Sequence, residues 1–466
     1  MQADTQVIFA TVVFLITYAV IVSEKIHRAV AAFFGAGVII VAGIIDADHA
    51  VHFVDFNTIG LLVGMMIIVG ITRQTGVFEY MAIKAAKQAQ GEPIRIMAAL
   101  ALITAVLSAL LDNVTTVLLI VPVTFAIARQ LKVNVIPFLI VEIIASNIGG
   151  TATLIGDPPN IMIGGATSLG FMDFVINLTP VVVVIYALTV FILKRIYKDQ
   201  INTRPELMQS IMAMDENAEI KDYPLMKKSV AVLTLTVIGF ALHQFVHLES
   251  SVIALSGAAL LLLVTRMDPE HAFGAVEWPV IFFFIGLFVV VGGLEEVGVI
   301  EAIAAYSLDV TGGDMLYAGL LIVWLSAIAS AFVDNIPFVA TMIPLIQDMG
   351  RLGAIQDLNF LWWSLSLGAC LGGNGTIIGA SANVVVIGMA EKRGANISFM
   401  EFFKVAFPLM ILSIIIATVY LIAWYVFNKA TVMLSTLAIG AMLAFVLSGI
   451  DKGLSPGTSE SDTIGL

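Results

Sequence analysis

Residues 146–160 read SNIGGTATLIGDPPN and lie between two apolar runs, 135–145 and 161–166. Gly149, Gly150, Gly156, Pro158 and Pro159 are too dense for one continuous helix. Gly forfeits backbone entropy there, and Pro lacks the N–H and clashes with the preceding turn. The stretch therefore reads as a helix broken at membrane depth. Unwound backbone persists in a bilayer only where it is buried in protein or lines a polar cavity. Ser146, Asn147, Thr151, Thr153, Asp157 and Asn160 supply oxygens and amides at that place. A polar surface loop is the competing reading, but it would need neither apolar flanks of this length nor so many glycines.

The rest of the chain supports a membrane setting. Of 466 residues, 60% are hydrophobic and 12% charged, against roughly 45–50% and 25% in soluble domains. The expected fold class is an all-α polytopic membrane protein. Apolar runs near 7–22, 29–45, 56–72, 174–193, 229–246, 251–265, 279–294, 402–427 and 430–448 are each long enough, or nearly so, to cross roughly 30 Å of hydrocarbon. Two more crossings, 135–168 and 360–390, are interrupted. Regions 96–128 and 316–347 carry an Asp-Asn pair at their middles and read as re-entrant hairpins with the pair at the tip. The first run lacks a basic leader and a cleavage site, so it reads as a retained helix. The single cysteine, Cys370, excludes an intramolecular disulfide and a cysteine metal cluster.

Basic residues orient this layout. With the N-terminus outside and the hairpins returning to their own side, all of the 22 Lys and Arg fall on inner segments except Arg351 and Lys429. The linker 197–228 and the C-terminus are then cytoplasmic. A prokaryotic inner (plasma) membrane is the expected location. The tail 449–466 reads as disordered.

The chain also repeats itself at an offset near 222. Leu111-Asp112-Asn113-Val114 returns as Val333-Asp334-Asn335-Ile336, Pro122 as Pro344, and Gly76 as Gly298. GGTATLIGDPPN (149–160) returns as GGNGTIIGASAN (372–383), and FMDF (171–174) as FMEF (399–402). Each copy holds five crossings and a hairpin. Five is odd, so the copies enter from opposite faces. This is the inverted repeat of alternating-access transporters, whose sites lie at broken helices near the midplane. The expected division is a first repeat 1–196, the linker 197–228, a second repeat 229–427, and an extra helix with a tail, 428–466.

At these motifs, including AFVDNIPFVATMIP (331–344) and LGACLGGNGTIIGASANVVVIG (367–388), the chain resembles the ion transporter superfamily. That group takes in arsenite permeases, NhaD-type sodium/proton antiporters, dicarboxylate and citrate transporters, and the melanosomal P protein, which the motifs resemble most. The resemblance implies a homodimeric elevator transporter and not an enzyme. It also implies a site built from the hairpin tips, Asp112, Asn113, Thr115, Thr116, Asp334 and Asn335. The broken-helix loops would add Asn147, Thr151, Asp157, Asn160, Asn374, Thr376, Ser381 and Asn383. Dicarboxylate transporters carry Ser-Asn-Thr at the tips and Thr where Asp157 stands. Three carboxylates here, with no Lys or Arg in 133–193 or 267–350, would repel a dicarboxylate.

An ionised Asp in hydrocarbon is costly, which marks Asp112, Asp334 and Asp157 as functional candidates. Such a group can exchange a proton for a cation. No organic cofactor is expected. The coupling ion is a proton or sodium, with a sodium site expected at Asp112, Asn113, Asp334 and Asn335. The competing role for each Asp is a helix cap. Glu142, one turn before Ser146, stands between site and scaffold. Cys370 reads as a small buried hydrophobe.

The leading function is a proton- or sodium-coupled antiporter of a small inorganic solute, either arsenite/antimonite efflux or sodium/proton exchange. An anion channel, an anion/citrate-type transporter and, more distantly, an intramembrane aspartyl protease remain alternatives. No nucleotide-binding motif is present, which leaves ATP-driven pumping to a partner ATPase. Nothing in the chain suggests nucleic acid.

Overall fold

The computed structural model describes residues 3–23, 25–246 and 248–453. Of the tail expected to be disordered, 449–466, the first residues continue the last helix as far as Gly453, and the rest lies outside the described residues. Among the described residues the chain is helical throughout, with no strand. The first ten helices are α1 (Ala3–Ser23), α2 (Arg28–Val41), α3 (Ala47–Phe53), α4 (Phe56–Arg73), α5 (Val77–Gln88), α6 (Pro93–Leu110), α7 (Asn113–Leu131), α8 (Ile136–Gly150), α9 (Pro158–Ala166) and α10 (Phe171–Tyr197). After α11 (Pro205–Met212) the same succession returns as α12 (Tyr223–Val246), α13 (Ser250–Thr265), α14 (Pro269–Phe273), α15 (Trp278–Glu296), α16 (Val299–Thr311), α17 (Met315–Phe332), α18 (Asn335–Leu352), α19 (Asn359–Gly372), α20 (Ser381–Glu391) and α21 (Phe399–Val426). A final helix, α22 (Lys429–Gly453), follows. The long apolar runs and both interruptions fall where the sequence places them.

Short elements between crossings are the difference. The amphipathic helices α5 and α16 each begin after a left-handed glycine, Gly76 (φ 79°) and Gly298 (φ 80°). A search for spans passes over them because of their length and mixed polarity. The linker is not featureless either. It forms α11 and a short 3-10 turn, Glu216–Glu219, that pack on α5 and α7. Lys87 pairs with Glu216 and donates to Met214 O at 3.0 Å.

The repeats interlock rather than stand side by side. Helix α4 packs on α13, and α15 packs on α2. At the crossings a Cβ on Gly64 would lie 2.5 Å from the Ala254 carbonyl carbon, and one on Gly286 would lie 2.6 Å from that of Ala32. Only glycine permits so close an approach of two backbones.

Each hairpin packs on the broken helix of its own repeat: α6 and α7 on α8, and α17 and α18 on α19. Gly149 lets α6 come close, since a Cβ there would lie 2.1 Å from Ala105 O. The breaks themselves refine the sequence reading. Gly149 and Gly150 are the last residues of α8, and Pro158 and Pro159 open α9. Proline suits that position, where its missing N–H has no intrahelical partner.

Candidate functional site

Matching hydrogen bonds fasten each hairpin tip to its break. Ser108 Oγ donates to Ser146 O at 2.6 Å, and Ser330 Oγ donates to Ala369 O at 2.7 Å. Thr153 Oγ1 donates to Ala109 O as Thr376 Oγ1 does to Ala331 O. Asn160 Nδ2 holds its loop through Thr151 O (3.2 Å) and Thr153 O (2.9 Å). Asn383 Nδ2 does so through Gly373 O (2.7 Å) and Thr376 O (2.9 Å). These groups satisfy backbone carbonyls freed by unwinding, as irregular backbone at this depth requires. Thr151 Oγ1 likewise turns back to Asn147 O at 2.7 Å.

Two polar groups remain at the centre. In the first, Asn113 Nδ2 donates to Asn147 Oδ1 (3.1 Å), and Asn147 Nδ2 donates to Asn374 Oδ1 (3.0 Å) and Asn383 Oδ1 (2.9 Å). One tip and both breaks thus meet through four buried amides. In the second, Asn335 Nδ2 of the other tip donates to Asp157 Oδ1 at 3.2 Å. Nearby, Asn160 Oδ1 accepts from Ser366 Oγ and, at 3.6 Å, Cys370 Sγ. Each hairpin tip thus ends against a broken helix; three hairpin helices, Pro93–Leu110, Asn113–Leu131 and Met315–Phe332, are by length and composition able to cross a membrane.

The three aspartates differ. Asp112 caps α7, accepting from Thr115 N at 2.7 Å. Asp334 caps α18 through Ile336 N at 3.1 Å, while its Oδ2 accepts from Ser381 Oγ (2.7 Å) and from the Arg28 guanidinium (2.8 Å). Asp157 stands at the start of α9 but makes no capping bond. It is fully buried, and its Oδ2 has no partner. Asn113 Oδ1 and Thr116 Oγ1, also buried, have none either. A buried oxygen without a donor is costly, and Glu79, Thr104, Glu142 and Ser326 also carry such atoms. The four residues of the expected sodium site take different hydrogen-bond partners. Asn113 belongs to the first group, Asn335 to the second, Asp112 is turned to its cap and Asp334 to Arg28.

Arg28 is the residue that sequence reasoning missed. It lies outside the windows searched for a cation, yet its Nη1 reaches both Asp334 and Ser381. Its guanidinium also lies 5.0 Å from the Phe283 ring centroid on α15. Arg28 is the first residue of α2, which has 14 residues. A cavity of about 330 Å³ opens there, between the α1–α2 turn, Glu277, Val114 and Asp334 of the two tips, and Ser381. Among the described residues no group of three or more His, Cys, Asp or Glu gathers as a metal centre.

The comparisons agree with this architecture. The YdaH transporter of Alcanivorax borkumensis superposes with a TM-score of 0.55 over 82% of this chain and 90% of its own, at 17% identity, which speaks to the fold alone. An uncharacterized transporter of Mycobacterium tuberculosis is 43% identical over 420 residues, covering 89% of this chain and 97% of that protein. The 46 kDa membrane protein of Mycobacterium leprae is 40% identical over 419 residues, covering 89% and 98%. The human P protein is 35% identical over 508 residues, 91% of this chain and 61% of that longer protein. The profile of the CitMHS citrate transporter family matches residues 18–368, so this polytopic chain belongs to that family and is an integral membrane transporter.

Proposed function

We propose that the protein is a secondary active transporter that couples a proton or a sodium ion to the movement of a small inorganic solute. Asp157 carries this reading. It is the buried carboxyl at the first break with one oxygen unpartnered, and its repeat-mate is Ala380. Helix geometry alone does not require a carboxylate there, because Ala380 opens α20 without one. An ionised Asp157 without a counter-ion would be strongly disfavoured at this depth. It is suited to taking up a cation and delivering it on the other side. The surrounding amides and hydroxyls suit a neutral hydroxylated solute such as arsenous or antimonous acid, or sodium itself in exchange for protons.

In this reading the hairpins, breaks and α20 move as an elevator against a homodimeric scaffold that contains α2, α4, α13 and α15. Residues 1–196 and 229–427 form the two repeats, and the 197–228 linker and C-terminus face the cytoplasm of a plasma membrane. A second reading, an anionic solute of the citrate type, is favoured by Arg28 at the mouth of the cavity and by the family's description. Against it, Arg28 is already neutralised by Asp334, and Glu277 adds a negative charge.

The test is uptake by proteoliposomes across arsenite, antimonite, sodium and citrate under imposed pH and sodium gradients. Asp157→Asn keeps the size but cannot titrate, and should abolish gradient-driven accumulation in a folded, monodisperse protein. Wild-type accumulation by that variant would make Asp157 structural.

A further inference from the structure

Glu142 on α8 is 1% exposed. Its Oε1 lies 2.5 Å from Thr124 Oγ1 of α7, and its Oε2 has no partner. Thr124 Oγ1 also bonds Ile120 O at 3.2 Å. A threonine hydroxyl has a single hydrogen. With Glu142 ionised, that hydrogen must choose between carboxylate and carbonyl. With a proton on Oε1, the chain closes: Glu142 donates to Thr124, and Thr124 donates to Ile120 O. A cation bound at Oε1 and Oε2 would instead neutralise the carboxylate, with the Thr124 hydroxyl donating to Oε1.

The repeat shows that packing does not demand this pair. Glu142 matches Leu365 and Thr124 matches Ile346, both fully buried in the equivalent helix pair α18 and α19. Thr116 matches Phe338 and Ser146 matches Ala369. The second repeat therefore builds the same seam from apolar side chains. Only the first is polar at these four positions, while Asn113 and Asn335 keep both tips polar. On α7, Asn113 and Thr124 stand three turns apart on one face, with Thr116 beside them. On α8, Glu142 precedes Ser146 by one turn. Unpartnered oxygens on Asn113, Thr116 and Glu142 mark this seam as far as the tip.

We propose that Glu142, with Thr124, is a second site for a monovalent cation, a proton or a sodium ion, distinct from Asp157. This rests on the coupled-transport reading above. In the proton case an O–H bond forms at the carboxylate from hydronium on one side and is returned to water on the other. No redox partner is needed.

The experiment uses purified full-length protein and two probes. Equilibrium binding of radioactive sodium counts ions per chain, and infrared difference spectra follow carboxylic-acid C=O bands. If the site takes sodium, Glu142→Gln should bind one ion fewer, with the Asp157 equivalent intact. If it takes a proton, one carboxylic-acid band should be missing in Glu142→Gln, and in wild type that band should shift in D2O within one transport cycle. An unchanged sodium count with no band lost would overturn the proposal, and so would a band that resists exchange. Should Glu142→Gln not fold, Thr124→Val removes the carboxyl's partner, and an unmoved band together with an unchanged sodium affinity would overturn it as well. Asp157→Asn keeps the two readings apart. If it still drives accumulation, the coupling reading fails; if it does not and Glu142→Gln changes nothing, only the second site fails.

Discussion

Arg28→Gln should free the second hairpin tip from the scaffold. The Arg28–Asp334 pair is 2.8 Å long, and its side chains are 26% and 16% exposed. It lies between exposed pairs, worth about 0.2–1 kcal/mol, and fully buried ones, whose rupture costs about 3–5 kcal/mol. A loss of about 1–2 kcal/mol from the arrangement seen here follows, or roughly 5–30-fold in any equilibrium that separates tip from scaffold. Tyr18, which donates to Pro337 O across the same boundary, remains as a second tie. The reporter is a cysteine at Thr58, on α4 against α9. Thr58 is fully buried, and its Oγ1 lies 3.4 Å from Ile161 O. In the proposed elevator motion a membrane-impermeant thiol reagent would reach it when the site-bearing helices leave α4, and the native Cys370 is buried. In the Thr58→Cys background, Arg28→Gln should raise the labelling rate about 5–30-fold, and Arg28→Lys by less. Equal rates in all three would refute the view that this ion pair holds the two bodies together.

Gly64→Ala should lower the thermal midpoint in detergent, since overpacking costs about 1–3 kcal/mol and the new carbon would strike the Ala254 backbone. Gly388→Ala, on α20 with nothing within 4 Å of the new Cβ, should leave the midpoint unchanged or raise it, with a stability gain of up to about 1 kcal/mol. Asn160→Ala orphans two carbonyls and the Ser366 hydroxyl, at about 2–4 kcal/mol in total, read as a fall in the same midpoint. Lys87 beside Glu216 holds that carboxyl below its usual range. The docking it supports is therefore complete above the ordinary Glu value of about 4.3 and is lost as pH falls through the lower folded value, which limited proteolysis of the linker should report. Ser210→Cys in that linker should label only from the cytoplasmic side of intact cells.

Much of this was visible in the residues. Long apolar runs, Asp-Asn pairs and clustered Gly and Pro located the crossings, tips and breaks, because backbone satisfaction in a bilayer leaves few alternatives. The assignment of partners was not visible. Thr151, Asn160 and Asn383 turn to local carbonyls and Thr376 to Ala331 O of the hairpin, a choice fixed by how each loop unwinds rather than by residue type. Arg28 and Asp334 are 306 positions apart, and only the crossing of α2 over α15 brings them together. Helices α5 and α16 escaped because they are short, 12 and 13 residues, and mixed in polarity.

The exchange of helices between repeats bears on how the chain is made. Gly64 waits for Ala254, which the ribosome adds about 190 residues later, or roughly 10–40 s at common elongation rates. Until then the face of α4 that packs on α13 lacks its partner, although α9 and α5 of its own repeat are already made. The first half is therefore an unfinished product, open to quality-control proteases and dependent on prompt synthesis of the second. A stall in the 197–228 segment would be more damaging than one near the C-terminus. The same dependence makes the two halves complementary. Expressed as separate polypeptides in one membrane, each would offer the other the surface that its own sequence lacks.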